Sequence, residues 1–489
     1  MPDLHLNDIL NWTGGQLLSN GAVSPDFDFT GISTDTRTLK LGNLYLALSG
    51  QLHDGHQFLG QARFAGAAGL LIARADALNS LQSDFNPGIV ILVDDTLKAL
   101  QDIAAGFRQT LSACVVGISG SVGKTSTRQM ISCCLETALR VHQTAGNLNN
   151  EIGLPQTILA ADAEHEAVVL EMGMRGPGEI SLLSHIAQPD IAVLTCIGLS
   201  HIGRLGSQDA ILSAKAEIID GLRPGGLLVL NADDPLLLEW GRSQTKFRLA
   251  WITTDDQQAA ALASDAAYAV SAGQIVTTAA KSSFTAAIQT SGTLMQSIAV
   301  NLPFPGIHHI HNAMFGLVIA AELGLDLVRA ATGFLNCQIT GSRQRIIDTG
   351  EILIMDDSYN ASPESMLAAL HTMTELAAGK RRLIAALGCM LELGDFADSA
   401  HFTLGTQAAQ LGFARILVTG PQAESVAAGA RAVNPDLSVE VFSDNLKLAA
   451  ALSGELQAGD CLLVKGSRGF AMEKVTEAVL LKWRMQNAD

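Results

Sequence analysis

The chain has 489 residues, of which 48% are hydrophobic and only 5% aromatic, and a formal net charge of -17. That length exceeds one ordinary core, so two to four domains are expected, packed mostly by Ala, Leu, Ile and Val. The negative charge disfavours nucleic acid or an anionic membrane surface as partner, because either would repel the protein as a whole, yet it permits a local basic pocket for phosphates. The first Lys or Arg is Arg37, and Asp3, His5 and Asp8 break any early apolar run, so no secretory leader is expected. No apolar stretch approaches a membrane-spanning length. The seven Cys are scattered without a C-x-x-C pair, and Cys133 and Cys134 are adjacent. Reduced, buried thiols in a cytoplasmic protein follow, with no membrane insertion.

In chain order, residues 1–92 read as a small α/β domain. "NLYLAL" and "GLLIA" have strand character, and "GHQFLGQARFAGA" reads as a helix between them. "DDTLKALQDIAAGFRQTL" is a helix with acidic residues at its start, where the macrodipole favours them. It opens a second domain, 93–324, in which "ACVVGI", "AVVLEMG", "IAVLTCIG" and "GLLVLNADD" alternate with helical patterns, the rhythm of a parallel sheet with crossover helices. The Ala-, Ser- and Thr-rich part from Asp255 to Val300 predicts antiparallel strands. After "HNAMFGLVIAAELGL" a third α/β domain, 325–489, has strands at "ILIMDD", "RLIAALG", "RILVTG", "VEVFS" and "CLLVKG". The fold class is therefore α/β in three parts: a small N-terminal domain, a central phosphate-loop parallel sheet, and a Rossmann-like C-terminal domain.

The stretch "GISGSVGKTS" places Gly117, Gly120, Ser121 and Gly123 before Lys124, Thr125 and Ser126, after an apolar run and before a helix. Glycines let backbone N–H groups turn inward onto a polyphosphate, and the helix adds its positive N-terminus. Lys124 is placed to reach the outer phosphates, and Thr125 to offer a hydroxyl to Mg²⁺. The usual spacing wants Gly where Ile118 stands, so this is a shorter variant of the loop. A nucleotide site also needs a carboxylate for the metal, and Glu171 ends a strand-like run, where ligand crevices form in such sheets. His201 follows another strand, and Lys215 lies on an amphipathic helix. By spacing alone these two read as a surface-loop histidine and a solvated lysine paired with Glu217 or Asp220, and only an external pattern raises the functional reading.

These segments together resemble the Mur ligase family, the ATP-dependent amide-bond ligases of peptidoglycan synthesis. The resemblance rests on the shorter loop, "TAGNLNNEIGLP", "LEMGMRGPGEI", "SHIGRLGSQDAILSAKAEI", "NADDP", "PGIHHIHNA", "SRQRI", "DDSYNASPESM", "MLELGDFADSAH" and "LVKGSRGFAMEKV", in the family's order, and covers nearly the whole chain. "STDTR", "TAGNLNNEIG" and "DDSYNASPESM" are similar to the branch that adds D-alanyl-D-alanine to UDP-N-acetylmuramoyl-tripeptide. The "DNPR" motif of the diaminopimelate-adding branch is absent. The long N-terminal domain also argues against folylpolyglutamate synthetase, a relative that lacks one.

The resemblance implies roles by position. Lys124 and Thr125 hold ATP and Mg²⁺, Glu171 ligates that ion, and His201 ligates a second one. Lys215 matches a lysine that is carbamylated in much of the family, and as a carbamate it is a candidate metal ligand. His308 and Asn312 fall at the adenine, Asp357 near the ribose, and Arg345 reaches toward the γ-phosphate. Thr144, Asn147, Asn149 and Asn150 meet the muramoyl substrate, with Tyr359 and Asn360 beside Asp357. Ser33, Asp35 and Arg37 fall in the uridine-nucleotide region, and "KGSR" (residues 465–468) is a weaker candidate for the acceptor site. Two departures stand out: Cys389 replaces an acid of the family pattern, and His309 stands where Asn is frequent.

The implied chemistry is an acyl phosphate made from ATP and a peptide carboxylate, then attacked by the amine of the dipeptide, in a monomer with small-molecule substrates. Two other classes share parts of this pattern. A nucleotide-hydrolysing switch would use Lys124, Thr125 and an acid but needs no third domain. A non-enzymatic uridine-nucleotide-binding protein has no use for an intact phosphate loop. A sister ligase with another amine donor is the nearest alternative.

Overall fold

The computed structural model describes residues 4–18, 24, 26–50, 53–80, 88–278, 281–338, 341–379 and 381–486. Three large sheets follow one another along the chain without interleaving, and each is dominated by parallel pairs or carries helices between its strands, as an α/β chain requires. A small two-stranded sheet pairs Leu4–His5 with Asp28–Phe29, on either side in sequence of Gln16–Leu17, the first strand of the first large sheet.

The first large sheet has five strands in the order Gln16–Leu17, Ile89–Leu92, Gly69–Ile72, Leu44–Leu46, Ile32–Ser33. All but the Gln16–Leu17 edge pair in parallel. The second has nine, in the order Thr293–Leu302, Ser282–Thr290, Tyr268–Thr277, Arg248–Thr253, Leu227–Asn231, Ile191–Leu194, Cys114–Ser119, Ala167–Glu171, Val141–Gln143. The third has six: Arg345–Asp348, Leu353–Asp357, Asp460–Lys465, Arg382–Gly388, Arg415–Thr419, Ser438–Phe442. Only its Arg345–Asp348 edge is antiparallel. The strands expected in the third domain all form.

One expectation is corrected. The stretch after Asp255 opens as a helix, Asp256–Leu262, before the antiparallel strands Tyr268–Thr277, Ser282–Thr290 and Thr293–Leu302. The Asp255 carboxylate accepts the N–H groups of Gln257 and Gln258, so an N-cap offsets the lack of an apolar stripe. The buried face of this helix is Ala-rich: Ala259 and Ala263 pack on Ala269.

By internal contacts the chain divides into two compact units. One is Met1–Ser119, Ala138–Val193 and Ala216–Leu228; the other is Gly120–Thr137, Leu194–Lys215 and Val229–Asp489.

In the first unit the helix Thr96–Thr110 starts at Asp95, whose carboxylate accepts from Leu97 and Lys98 N–H. Near its end Arg108 is fully buried. Its Nε donates to the Ala187 carbonyl (2.8 Å), and its Nη2 donates to the Gln188 carbonyl (3.0 Å) and to Asp190 Oδ2 (2.8 Å). Asp190 Oδ2 also accepts the Val115 N–H at 2.8 Å, so this one pair fixes where the strand Cys114–Ser119 begins. A buried charge is tolerated only with such full pairing.

In the second unit the six-stranded sheet buries Ile354, Ile384, Leu417, Leu462 and Val464 with Leu448, Leu452 and Val475. Its register sets Asp357 directly beside Lys465, at the C-terminal ends of neighbouring parallel strands.

Replacing Arg108 by Met keeps the bulk but strands two buried carbonyls and a carboxylate. R108M is expected to lower unfolding stability by about 2–4 kcal/mol, measured as a shift of the lowest transition in urea or heat; an unchanged transition would contradict the account.

Candidate active site

The strand Cys114–Ser119 ends in the loop 120–123, and the helix Lys124–Leu135 follows at once. Gly120 (φ +143°) lies against Thr195 so closely that a Cβ there would sit 1.9 Å from the threonine hydroxyl. Gly123 (φ +90°) is the last residue before the helix. The loop is pinned from the segment after the strand Ile191–Leu194. The Thr195 hydroxyl donates to the Val122 carbonyl (2.6 Å), and the Ser121 N–H donates to the Cys196 carbonyl (2.9 Å). Lys124 Nζ bonds the Gly120 carbonyl at 2.7 Å, folding back over the loop, and Thr125 lies at the first helical turn, nine-tenths buried. A glycine loop at a helix start with a lysine folded over it has the chemistry to hold an anion.

The same unit holds His201 and Lys215. His201 sits in the left-handed region (φ +68°), and its Nδ1 lies 2.6 Å from Glu392 Oε2. Burial lowers its pKa, and Lys215 lowers it further. Lys215, near the end of the helix Gln208–Ala216, is 2% exposed. Among the described residues no hydrogen bond or ion pair to its amine is found. Burial first, and then the charge of Lys124, hold its pKa well below that of an ordinary lysine. A buried neutral amine is nucleophilic toward CO₂, and the carbamate so formed would be an oxygen donor.

On the helix Ile307–Glu322, Asn312 Oδ1 accepts the hydroxyl of Thr127, one turn along the loop's own helix (2.8 Å). His311 Nε2 lies 2.7 Å from Asp233, which also accepts from the hydroxyl and N–H of Thr254. His308 is pushed down to about 4, chiefly by burial and then by His311. His309 stacks between His308 and Phe304, with ring centroids 4.1 and 5.2 Å away.

At the six-stranded sheet, Asp357 is buried and Lys465 Nζ donates to its Oδ2 (2.7 Å) and to the Asn360 carbonyl (3.0 Å). The Gln344 N–H donates to Asp357 Oδ1 (3.2 Å), Tyr359 N–H donates to the Ser342 carbonyl, and the Arg343 guanidinium lies 3.6 Å over the Tyr359 ring. Arg345 itself is exposed, opposite Asp356.

In the first unit, the Ser33–Arg37 turn is closed by Arg37 on Asp35 (2.6 Å), which holds the Asp35 carboxyl down at about 2. Thr34 accepts from Gln156 Nε2 at 2.8 Å, bringing this turn against the helix that follows Asn150. The Asn150 side chain accepts from the Ile152 and Gly153 N–H groups at the entry to that helix, while Asn147 is exposed. The Thr144 hydroxyl accepts the Glu171 N–H (3.0 Å), and Asn149 Nδ2 approaches Glu171 Oε2 at 3.5 Å. Glu171 is 1% exposed.

Residues 118–320 match the Mur ligase middle domain, and residues 342–468 match the Mur ligase, glutamate ligase domain. The chain belongs to the Mur ligase family. The UDP-N-acetylmuramoyl-tripeptide--D-alanyl-D-alanine ligase of Synechocystis sp. is 36% identical over 98% of both chains. The ligase of the same name from Escherichia coli is 33% identical over 97% of both. The crystal structure of MurF from Acinetobacter baumannii is similar with a TM-score of 0.84 at 26% identity, over 98% of this chain and 99% of that one.

In this Mur ligase the second unit gathers the loop, His201, Lys215, His308, Asn312, Arg345, Asp357, Tyr359 and Asn360. The first holds Gly117, the Ser33–Arg37 turn, the Thr144–Asn150 segment and Glu171. Lys465 of "KGSR" donates to Asp357 and to the Asn360 carbonyl. Sequence reasoning missed Thr195, Gln156, Asp233 and Glu392. Glu392 stood in a quoted motif; for Thr195 nothing local signals the contact. The departure at Cys389 has a structural setting: the thiol is 1% exposed, pushed up to about 11 by burial, and lies 2.8 Å from where a Cβ on Gly420 would be.

Gly120→Ala is expected to weaken nucleotide binding at least 100-fold with unchanged circular dichroism, because the loop must open to admit the methyl group. Calorimetric titration with a non-hydrolysable ATP analogue reads this, and binding within a few fold of the native protein would refute it.

Proposed function

We propose that this chain joins D-alanyl-D-alanine to UDP-N-acetylmuramoyl-tripeptide, using ATP and releasing ADP and phosphate. The observation that carries the reading is that relatives bearing this activity's name align over nearly the whole chain, while the phosphate loop is intact. Residues 1–92 are taken to hold the uridine nucleotide, 93–324 ATP, and 325–489 the dipeptide, in a cytoplasmic monomer. No helix among the described residues is long and apolar enough to cross a membrane, in keeping with small soluble substrates.

The chemistry sets anion against anion in its first step and develops negative charge on the acyl oxygen and leaving phosphate in its second. The tripeptide's terminal carboxylate attacks the γ-phosphorus, giving an acyl phosphate and ADP. The dipeptide amine then attacks the acyl carbon, phosphate leaves with the bonding pair, and the amine loses a proton. The loop N–H groups between Gly120 and Ser126 cradle the phosphates, and Lys124 Nζ exchanges the Gly120 carbonyl for a phosphate oxygen. Arg345, exposed at its strand start, neutralises the γ-phosphoryl group. Asn312, its Oδ1 held by Thr127, offers its amide nitrogen to the adenine, with His308 beside it. Asp357 orients the ribose. Ser33, Asp35, Arg37, Thr144, Asn147, Asn149, Asn150, Tyr359 and Asn360 bind the muramoyl-peptide substrate.

The donor chemistry fits magnesium. Thr125 and Glu171 offer the hard oxygens that Mg²⁺ prefers. His201 is a softer donor, and an anionic Lys215 carbamate in the same unit supplies the charge that would make a second ion favourable there. Bound magnesium supplies charge neutralisation on the transferring phosphoryl group.

Phosphate release from ATP, UDP-N-acetylmuramoyl-tripeptide and a panel of amine donors is expected to be strongest with D-alanyl-D-alanine. It is expected to fall at least 1000-fold in Lys124→Ala, which folds normally. Turnover without any amine donor would favour the hydrolytic switch; preference for another amine would favour a sister ligase.

If Lys215 works as a carbamate, Lys215→Ala loses activity and regains part of it with short carboxylic acids such as formate or acetate. Full activity without rescue would reject the role.

A further inference from the structure

The segment 198–205 and the turn 391–394 meet through an unusually constrained contact within the second unit. His201 and Glu392 both occupy the left-handed region, at φ +68° and +65°, which costs a non-glycine residue on the order of 1 kcal/mol or more unless its surroundings enforce it. The enforcement is visible. The Gly203 N–H donates to the Glu392 carbonyl at 3.0 Å. A Cβ on Gly203 would come within 2.6 Å of the Gly394 nitrogen, and one on Gly394 within 2.8 Å of the Gly203 Cα. Close by, the Leu199 N–H donates to Glu364 Oε1 at 2.7 Å. The backbones are held so that one side-chain pair forms, His201 Nδ1 with Glu392 Oε2 at 2.6 Å.

A carboxylate can only accept, so Nδ1 carries the proton, and in the neutral ring Nε2 keeps its lone pair. A carboxylate that fixes the tautomer and ring plane through the far nitrogen is the usual support of a metal-binding histidine. We infer that Glu392 is a positioning residue: docking of the 391–394 turn on Gly203 sets the tautomer of His201 and presents Nε2 to a divalent cation. The inference rests on the assignment of His201 as a metal ligand. It also makes cation binding depend on seating of the 391–394 turn, since Glu392 reaches His201 only while the two glycine backbones touch.

The test uses the full-length protein with Mn²⁺ and a non-hydrolysable ATP analogue, reading free Mn²⁺ by electron paramagnetic resonance. Glu392→Ala is expected to weaken the His201-dependent Mn²⁺ site 10- to 100-fold. Glu392→Gln, which still accepts from Nδ1, should retain most of the affinity. Gly203→Ala, which adds only a methyl group in the backbone contact, should weaken it about tenfold. Tautomer-sensitive ¹⁵N shifts of His201 should move in Glu392→Ala and stay in Glu392→Gln. Native affinity and tautomer in Glu392→Ala, with affinity lost in His201→Ala, would overturn the inference alone. Native affinity in His201→Ala would overturn the metal assignment and this inference with it.

Discussion

A hydroxyl placed where a side chain cannot be is the constraint behind the site. Thr195 occupies the volume that any Cβ on residue 120 would need, and its oxygen is spent on the Val122 carbonyl. The loop is therefore shaped before a nucleotide arrives. The first chemical step adds an anion to an anion and the second develops negative charge on the acyl oxygen, and catalysis of that kind comes mainly from dipoles already oriented toward the charge. A loop that had to reorganise on binding would surrender much of that advantage. The helix Lys124–Leu135 is fixed in turn, because Thr127 on it bonds Asn312 on the long helix Ile307–Glu322. The proposed adenine contact and the phosphate cradle are thus tied by one buried hydrogen bond.

A second constraint is electrostatic. A protein of net charge -17 repels a nucleotide at long range, so the attraction must be local. Lys124 is the proposed source, but Lys215 nearby is a second potential cation, buried and without an acidic partner among the described residues. Two ammonium groups in such surroundings oppose each other, and burial opposes the charge on Lys215. The relief is loss of a proton from the more deeply buried amine, the direction its pKa takes. Carbamylation carries the same logic further by reversing the sign of the charge. The lysine's burial is hard to reconcile with a purely structural role, since an aliphatic side chain would fill the space at lower cost.

Much of this was legible in the sequence because it is local. The glycine spacing, the order of strand, loop and helix, and the apolar runs of the third sheet all depend on neighbours within a few residues. The helix Asp256–Leu262 was misread because alanine gives no amphipathic stripe, although the Asp255 cap was present to be read. Thr195 was invisible for a different reason: its partner loop lies 73 residues away. Glu392 lies 191 residues from His201, and Gln156 lies 122 from Thr34. Pairings of that range are products of topology, and no window along the chain contains both members. His201 and Lys215 could be singled out only through the family pattern, since an exposed loop histidine and a solvated lysine look the same in sequence.

The "KGSR" segment illustrates how topology reassigns a motif. The family resemblance makes it a weaker candidate for the acceptor site. Parallel pairing instead sets Lys465 level with Asp357, and both are buried, so the lysine must satisfy the carboxylate. Its ammonium also takes the Asn360 carbonyl, which fixes the loop after the strand Leu353–Asp357. The other oxygen of Asp357 holds the Gln344 N–H, one residue before Arg345. Arg343 stacks on Tyr359 from the same stretch. A chain of contacts therefore runs from Lys465 through Asp357 to the backbone that presents Arg345. Arg345 is exposed at the start of its strand, and the residue before it is held by Asp357 on the neighbouring strand, a member of the buried ion pair. In this arrangement the buried Asp357–Lys465 pair fixes the backbone from which Arg345, the proposed γ-phosphate contact, projects.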